Sequence, residues 1–422
     1  VMVLLVGLVG SISICAFYWR SVGDWVSALP VFVLFTSGIG ILGYLTYSSF
    51  ASAEGAAGIV VSLSEGDAES GARLFLTVSL AAGLSGLGTS AVLRRLAPVP
   101  KRPQFRSLVR RRVGALQWIP IGPPVLLASL LGDSLIERRE YIADHLSGSL
   151  LVAGMNLILV GAVAVGGYTV RLGTWWLPVA TLLLCEVVSF GQGSRIFAIL
   201  PLVFIGSVVA GSGLNVARAL SLLLAAGGSI LLLGVPLHLR SLSMHGVLPY
   251  LSELPDAVGV SLSSVDLAVM NLLAGFPISI RASQVGGFVA DRDLMISLNP
   301  LPGSMAGWDE VVVSHRLNYY TPFSGVGELG AIGGLKLFMV ACLVGVLLAV
   351  LDYFVHRSLR SSAILIPLIC FGMACMFALF FSQYTVRASF RILYYALLLL
   401  LASSLFKRTS EGSSVRVRES VF

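Results

Sequence analysis

Apolar residues fall along this chain in long runs separated by short polar breaks. About eleven runs can be marked, near 1–18, 25–47, 73–93, 113–132, 148–170, 173–190, 196–212, 217–237, 334–351, 363–383 and 388–406. Most approach the roughly 20 residues of helix needed to cross a hydrocarbon layer about 30 Å thick. The pattern predicts an all-α polytopic membrane protein with about 11–12 transmembrane helices. It divides into an N-terminal bundle of about eight helices over 1–237, one large loop with short helices over 238–333, about three C-terminal helices over 334–406 and a tail over 407–422. The run 257–280 is apolar enough for a twelfth span, but Asp266 interrupts it and Pro255 and Pro277 stand near its ends. It reads as a re-entrant or interfacial helix. The segment 50–72 reads as an acidic, solvated connector.

Composition strengthens the pattern. Of 422 residues 56% are hydrophobic and 12% charged, against roughly 25% charged in a soluble domain. So much apolar surface cannot be hidden in one water-facing core. The net charge of +7 does not point to nucleic acid, because no basic face interleaved with aromatics accompanies it. Instead, eight of the 28 Lys and Arg crowd into 94–112 and four more into 407–422. By the positive-inside bias those segments are cytoplasmic. The long loop is then periplasmic or extracellular, and the tail cytoplasmic. The five cysteines lie in apolar runs without metal-ligand spacing and read as small hydrophobes.

Candidate chemistry concentrates in two places. Glu186, in "TLLLCEVVSFGQGSR", is the acidic residue inside a run, and an ionisable group at membrane depth calls for a partner. Arg195 follows nine residues later, after a "GQG" turn. The pair reads either as a substrate-facing carboxylate and arginine or as a structural contact between helices. The second place is "LNPLPGSMAGWDEVVVSHRLNYYTPFSGVGELG" (298–330), where Asp309, Glu310, His315, Arg316 and Glu328 fall within twenty residues. Asn299 and a Pro-Leu-Pro-Gly turn precede them. Tyr319, Tyr320 and Phe323 offer flat faces for sugar rings, and Arg316 a planar fork for phosphate oxygens. A carboxylate or neutral imidazole here is a candidate general base toward a hydroxyl. The same residues suit a folded cap at the membrane surface. The "DRD" at 291–293 is the outer spacing that could hold a divalent ion, but it flanks Arg292 and reads as exposed. No nucleotide-binding glycine pattern is present.

The segment 276–330 resembles the signature region of bacterial oligosaccharide repeat-unit polymerases, the Wzy-type O-antigen and capsule polymerases. The resemblance rests on Pro300–Gly303, on Arg316–Asn318 and on Pro322–Glu328, in that order. An Arg-x10-Gly pattern of some members fits Arg195 to Gly206 and Arg316 to Gly327. The resemblance implies a metal-independent glycosyltransferase of the bacterial cytoplasmic membrane, without cofactor. It would join repeat units carried on undecaprenyl diphosphate at the outer face of that membrane, with a polysaccharide chain-length regulator as a candidate partner. In that scheme Arg316 and Arg195 stabilise the departing diphosphate, with Arg281 and Arg292 as auxiliaries. Glu328, then His315 and Asp309, serve the acceptor hydroxyl. Asn299, Asn318, Tyr319, Tyr320, Ser324 and Glu186 line the substrate. An O-antigen ligase-like transferase shares this logic with another acceptor, and a lipid-linked oligosaccharide flippase is the alternative that is not an enzyme.

Overall fold

The computed structural model describes residues 2–22, 27–50, 63–98, 117–139, 149–170, 174–212, 215–263, 269–270, 272–285, 291–317, 321–360 and 365–419. These residues are helical with short connections and contain no strand, in an all-α polytopic architecture. Among the described residues six helices are long and apolar enough to cross a membrane: Met2–Val22, Ala28–Leu45, Glu65–Leu96, Val216–Pro236, Gly334–Ser358 and Val386–Ser403. Shorter apolar helices, Ile119–Leu131, Gly154–Thr169, Trp176–Gly191, Ile196–Val209 and Ile369–Gln383, stand at the other runs read from hydropathy.

The chain separates into two compact units, one made of 1–101 with 273–422 and one of 102–272. The division cuts the 238–333 loop, whose earlier part belongs to the second unit and whose later part belongs to the first. Hydropathy registers polarity along the chain; the units follow contacts between distant segments. No single helix covers 257–280, since one helix ends at Ser263 and another starts at Gly275.

The first unit contains α1 (Met2–Val22), α2 (Ala28–Leu45) and α3 (Glu65–Leu96). Part of the expected acidic connector is therefore helix: α3 starts at Glu65, and residues 51–62 lie outside the described residues. The cause is a capping box, in which the Ser64 hydroxyl accepts from the Asp67 N–H while Asp67 accepts from the Ser64 N–H. Glu65 and Asp67 also complement the positive end of the helix dipole.

The C-terminal part of this unit adds α14 (Gly334–Arg360), α15 (Leu365–Gln383) and α16 (Val386–Glu419). Small residues set how closely these helices approach. At the crossing of α3 and α14, a Cβ on Gly345 would lie 2.0 Å from the Ala82 carbonyl oxygen. The Ser85 hydroxyl donates to the Cys342 carbonyl at 2.9 Å across the same contact. Close backbone approach of this kind substitutes for the hydrophobic drive that lipid-facing helices lack. Phe32, Phe377, Phe381 and Phe390 fill the interior, with Phe32 and Phe377 stacked at 5.6 Å.

The second unit contains α4 (Gly122–Leu131), α5 (Ser149–Thr169), α6 (Trp176–Gly191), α7 (Ile196–Ser212), α8 (Val216–Leu232), α9 (Gly234–Leu239) and α10 (Val247–Ser263). Leu131, Leu159, Val163, Cys185, Leu200 and Phe204 form its main core. The "GQG" turn is held by Gly193, at φ +63°, whose carbonyl accepts from Arg240 Nε at 2.7 Å.

Candidate functional site

The "PFSGVGELG" run folds into α13 (Gly325–Ile332), a short buried helix of the first unit. Ser324 caps it, accepting from the Gly327 N–H at 2.9 Å. That hydroxyl donates in turn to Ser279 Oγ at 2.6 Å, and Ser279 donates to the Gly275 carbonyl, because a carbonyl can only accept. Ser279 belongs to α11 (Gly275–Val285). The glycines of the motif are places where other helices come close. A Cβ at Gly325 would meet the Phe381 carbonyl at 2.8 Å, and one at Gly327 would meet the Ser279 Cα at 2.7 Å. The motif thus reads physically as a cap, a set of tight packing positions and one carboxylate.

That carboxylate, Glu328, is fully buried. Its Oε1 accepts from Ser297 Oγ at 2.6 Å, and its Oε2 accepts from the Val386 backbone N–H at 3.0 Å. Ser297 lies in α12 (Asp291–Leu298), and Val386 opens α16. A carboxylate at a helix N-terminus satisfies an orphan N–H and meets the positive end of the dipole. His315, also fully buried, brings Nε2 to 3.4 Å from Glu328 Oε1, an ion-pair distance long for a hydrogen bond. His315 Nδ1 lies 2.9 Å from the Val311 carbonyl, which can only accept, so Nδ1 carries a proton. The proton that comes and goes is therefore the one on Nε2, facing Glu328. Burial pulls the imidazole down, but the facing Glu328 carboxylate, the Val311 carbonyl and Asp293 outweigh it. The net direction is upward from the ordinary histidine range.

The Pro-Leu-Pro-Gly turn is held from below by α16. Arg387, buried although it is an arginine, donates through Nη1 to the Ile296 carbonyl at 2.6 Å and the Asn299 carbonyl at 3.2 Å. Its Nη2 donates to the Leu301 carbonyl at 2.6 Å. Tyr394, two turns on, donates to the Leu298 carbonyl at 2.7 Å. The guanidinium lies 5.3 Å from the centre of the Trp308 ring, and Trp308 is 5.1 Å from the His315 ring. A buried guanidinium is tolerated only when its donors are met. Here backbone carbonyls at and just after the end of α12 meet Nη1 and Nη2, as suits the negative end of a helix, while Nε is buried without a hydrogen bond among the described residues.

Beyond this knot the loop turns outward. The Phe323 N–H donates to the His315 carbonyl at 2.8 Å and the Leu317 N–H to the Thr321 carbonyl at 2.9 Å, so that 315–317 pair with 321–323 as the base of a small hairpin. Arg316 pairs with Pro322 in an isolated antiparallel bridge. His315, the last residue of the turn that follows Val311, is buried, and Arg316, the bridge residue after it, is exposed.

The structure brings His315, Glu328 and Ser324 into one buried region with Asn299 beside it, and sets Arg316, Asp309 and Arg292 on the exposed side of the loop. Arg292 pairs with Glu310 at 2.7 Å, both well exposed. The half-buried Asn299 accepts the Leu301 N–H at 2.9 Å, stiffening the turn. Arg281 donates to Gln284 at 2.9 Å on α11. Asn318, Tyr319 and Tyr320 lie outside the described residues. The expectation that Glu328 serves a substrate hydroxyl meets an obstacle: its oxygens are already taken by Ser297, Val386 and His315.

Arg195 and Glu186 belong to the second unit. Ser194, just before Arg195, accepts from the Ile196 N–H at 3.3 Å and donates to Asn156 Oδ1 at 3.2 Å. The sequence reading expects Glu186 to have a partner. Both of its carboxyl oxygens are instead buried without a hydrogen bond among the described residues, and no ion pair joins it to Arg195.

Sequence reasoning missed Arg387, Ser297 and Trp308. A usable signal existed for the arginine. Arg387 and Arg391 open the last apolar run on the side that the positive-inside bias leaves poor in basic residues. No protein-family model, curated protein or solved structure was found to match the chain.

Proposed function

We propose that this chain is a membrane glycosyltransferase that polymerises oligosaccharide repeat units carried on undecaprenyl diphosphate. In the proposed reaction an acceptor hydroxyl oxygen attacks the anomeric carbon of the donor chain. The bond from that carbon to the diphosphate breaks, the diphosphate keeps the electron pair, and the hydroxyl proton leaves to a base or to water. Charge grows on the diphosphate as it departs, so a preorganised guanidinium there lowers the barrier. The observation that carries the reading is the placement of the three motif segments. They fold together on one bundle, with Arg316 exposed beside a buried knot that fixes its backbone. A lipid-borne diphosphate at a membrane surface suits such an arginine, and the apolar helices suit the polyprenyl tail.

The test is polymer length in cells lacking the native gene, complemented with wild type, Arg316→Ala or Arg316→Lys at matched expression. The reading expects a ladder from wild type and single capped repeats from both variants. Normal ladders from both would remove Arg316 from the chemistry. Lipid-linked units accumulating on the cytoplasmic side even with wild type would favour a flippase.

A further inference from the structure

Glu328 and His315 were expected to act on substrate, yet both are sealed inside the protein and point at each other. We propose that they are positioning residues: the buried His315–Glu328 pair fastens the base of the 315–323 hairpin to the start of α16 and so holds Arg316 outward for an anionic ligand. The inference rests on the reading that Arg316 meets the diphosphate.

The geometry supports each link. Glu328 ties three segments through one carboxylate: α12 by Ser297, α16 by the Val386 N–H and the hairpin by His315. His315 is clamped on its other ring nitrogen by Val311 and packed against Trp308 and Phe323. Its own carbonyl accepts the Phe323 N–H that closes the hairpin. Arg316 is the next residue, exposed, and its backbone is paired with Pro322 in the isolated bridge. Arg387, the residue after Val386, adds a second hold, gripping the carbonyls of Ile296, Asn299 and Leu301 and the face of Trp308. The charged groups facing the imidazole are Glu328 from α13 and Asp293 from α12, with Arg387 of α16 beyond Trp308. A carboxylate that only positions differs from a catalytic base in one respect that can be measured. Its loss acts through Arg316, so it cannot add to the loss of Arg316 itself.

The experiment uses the full-length protein reconstituted in lipid, with three readouts. The first is the pH titration of Trp308 fluorescence, taken as wild type minus Trp308→Phe, since a protonated imidazole quenches a neighbouring indole. The wild-type midpoint is expected above the ordinary histidine range. Glu328→Gln is expected to lower it, and His315→Gln to abolish it. An unchanged midpoint in Glu328→Gln overturns the pair. The second readout is tryptic cleavage after Arg316, expected to be at least about tenfold faster in Glu328→Gln than in wild type, a factor equal to roughly 1.4 kcal/mol of local opening. Equal cleavage overturns the fastening. The third is polymerisation of a lipid-linked repeat unit by wild type, Glu328→Gln, Arg316→Ala and the double variant. Glu328→Gln is expected to lower kcat/KM by about tenfold alone and to add nothing in the Arg316→Ala background. Losses that multiply would make Glu328 an independent catalytic group and overturn the proposal. If wild type does not polymerise at all, the function reading fails, and the first two readouts still decide whether the pair holds the hairpin.

Discussion

The two ends of the first unit carry the same device in two chemical forms. Near the start of α14 stands the Glu328 knot. Some 18 residues into α14, about 27 Å along a helix, stands Asp352. Asp352 accepts from the Ala28 N–H at 2.6 Å, the Leu29 N–H at 3.1 Å and the Tyr18 hydroxyl at 2.9 Å. Like Glu328, it satisfies the N-terminus of an apolar helix that has no water to turn to. Each carboxylate also has a fully buried histidine close by in sequence or space, His315 or His356.

The histidines differ in which nitrogen holds the proton. His356 Nδ1 faces Arg94 Nη2 at 3.2 Å, and a guanidinium can only donate, so Nδ1 accepts and Nε2–H donates to Ser27 Oγ at 3.3 Å. His315 Nδ1 donates to a carbonyl and turns Nε2 toward a carboxylate. At the Asp352 end the positive charge is that of Arg94, whose Nη2 donates to the histidine. At the Glu328 end the histidine is itself the charge that faces the carboxylate. One end is built as a fixed joint. The other holds a polar loop by a bond that pH can weaken.

Breaking the fixed joint should cost most. Asp352→Ala leaves two backbone N–H groups and a tyrosine hydroxyl buried without an acceptor. A loss of roughly 3–5 kcal/mol is expected, read as a collapse of folded yield and thermal midpoint. Glu328→Gln keeps one acceptor oxygen but removes the charge. Its expected cost is about 1–3 kcal/mol, measured by chemical unfolding in detergent.

The sharper contrast is in pH. His315 is raised in the folded state, so its contribution is fully present below the ordinary histidine value of about 6.5 and is lost as pH rises through the raised folded value. Thermal stability of the wild type should therefore fall across that window. His315→Gln should flatten the fall, and His356→Gln should leave it in place. If His356→Gln removes the dependence instead, the two knots have been assigned the wrong way round.

Arg387→Lys should cost less than either carboxylate, about 1–2 kcal/mol, because one ammonium cannot reproduce a fork over three carbonyls. Its signature is faster proteolysis at 299–303 with the bundle still folded. The smallest effect belongs to Arg292→Ala. Its partner Glu310 and it are 66% and 71% exposed, and a pair so solvated contributes about 0.5 kcal/mol or less. A larger loss would mean that Arg292 has a further role in the site.

Much of the fold was legible because lipid imposes a blunt rule. Every span must be a long apolar segment with its backbone bonded internally, and such segments can be read without knowing their neighbours. The site was legible only in part. The glycines and Ser324 of the α13 motif were visible as a pattern, but their purpose lies in what packs against them: Phe381, Ser279 and Ala282 arrive from elsewhere in the chain. Arg387 was invisible as a site residue because it lies 86 residues or more from the carbonyls it grips. The capping box at Ser64 and Asp67 was local and readable, and it corrects the start of α3. Glu186 shows the reverse failure: the rule that a buried charge should have a partner is sound, but the structure offers it none among the described residues.

The sequence by itself therefore determined the all-α class, the positions of most apolar helices and the segment in which polar chemistry gathers. Each of these depends on composition within some twenty consecutive residues. Only the tertiary structure decided that Glu328 faces inward, that His315 is its partner and that Arg316 is left outside. Those outcomes depend on which N–H, hydroxyl or carbonyl reaches a side chain from a distant helix. A buried polar group is placed by the partners that satisfy it, and nothing in its local sequence names them.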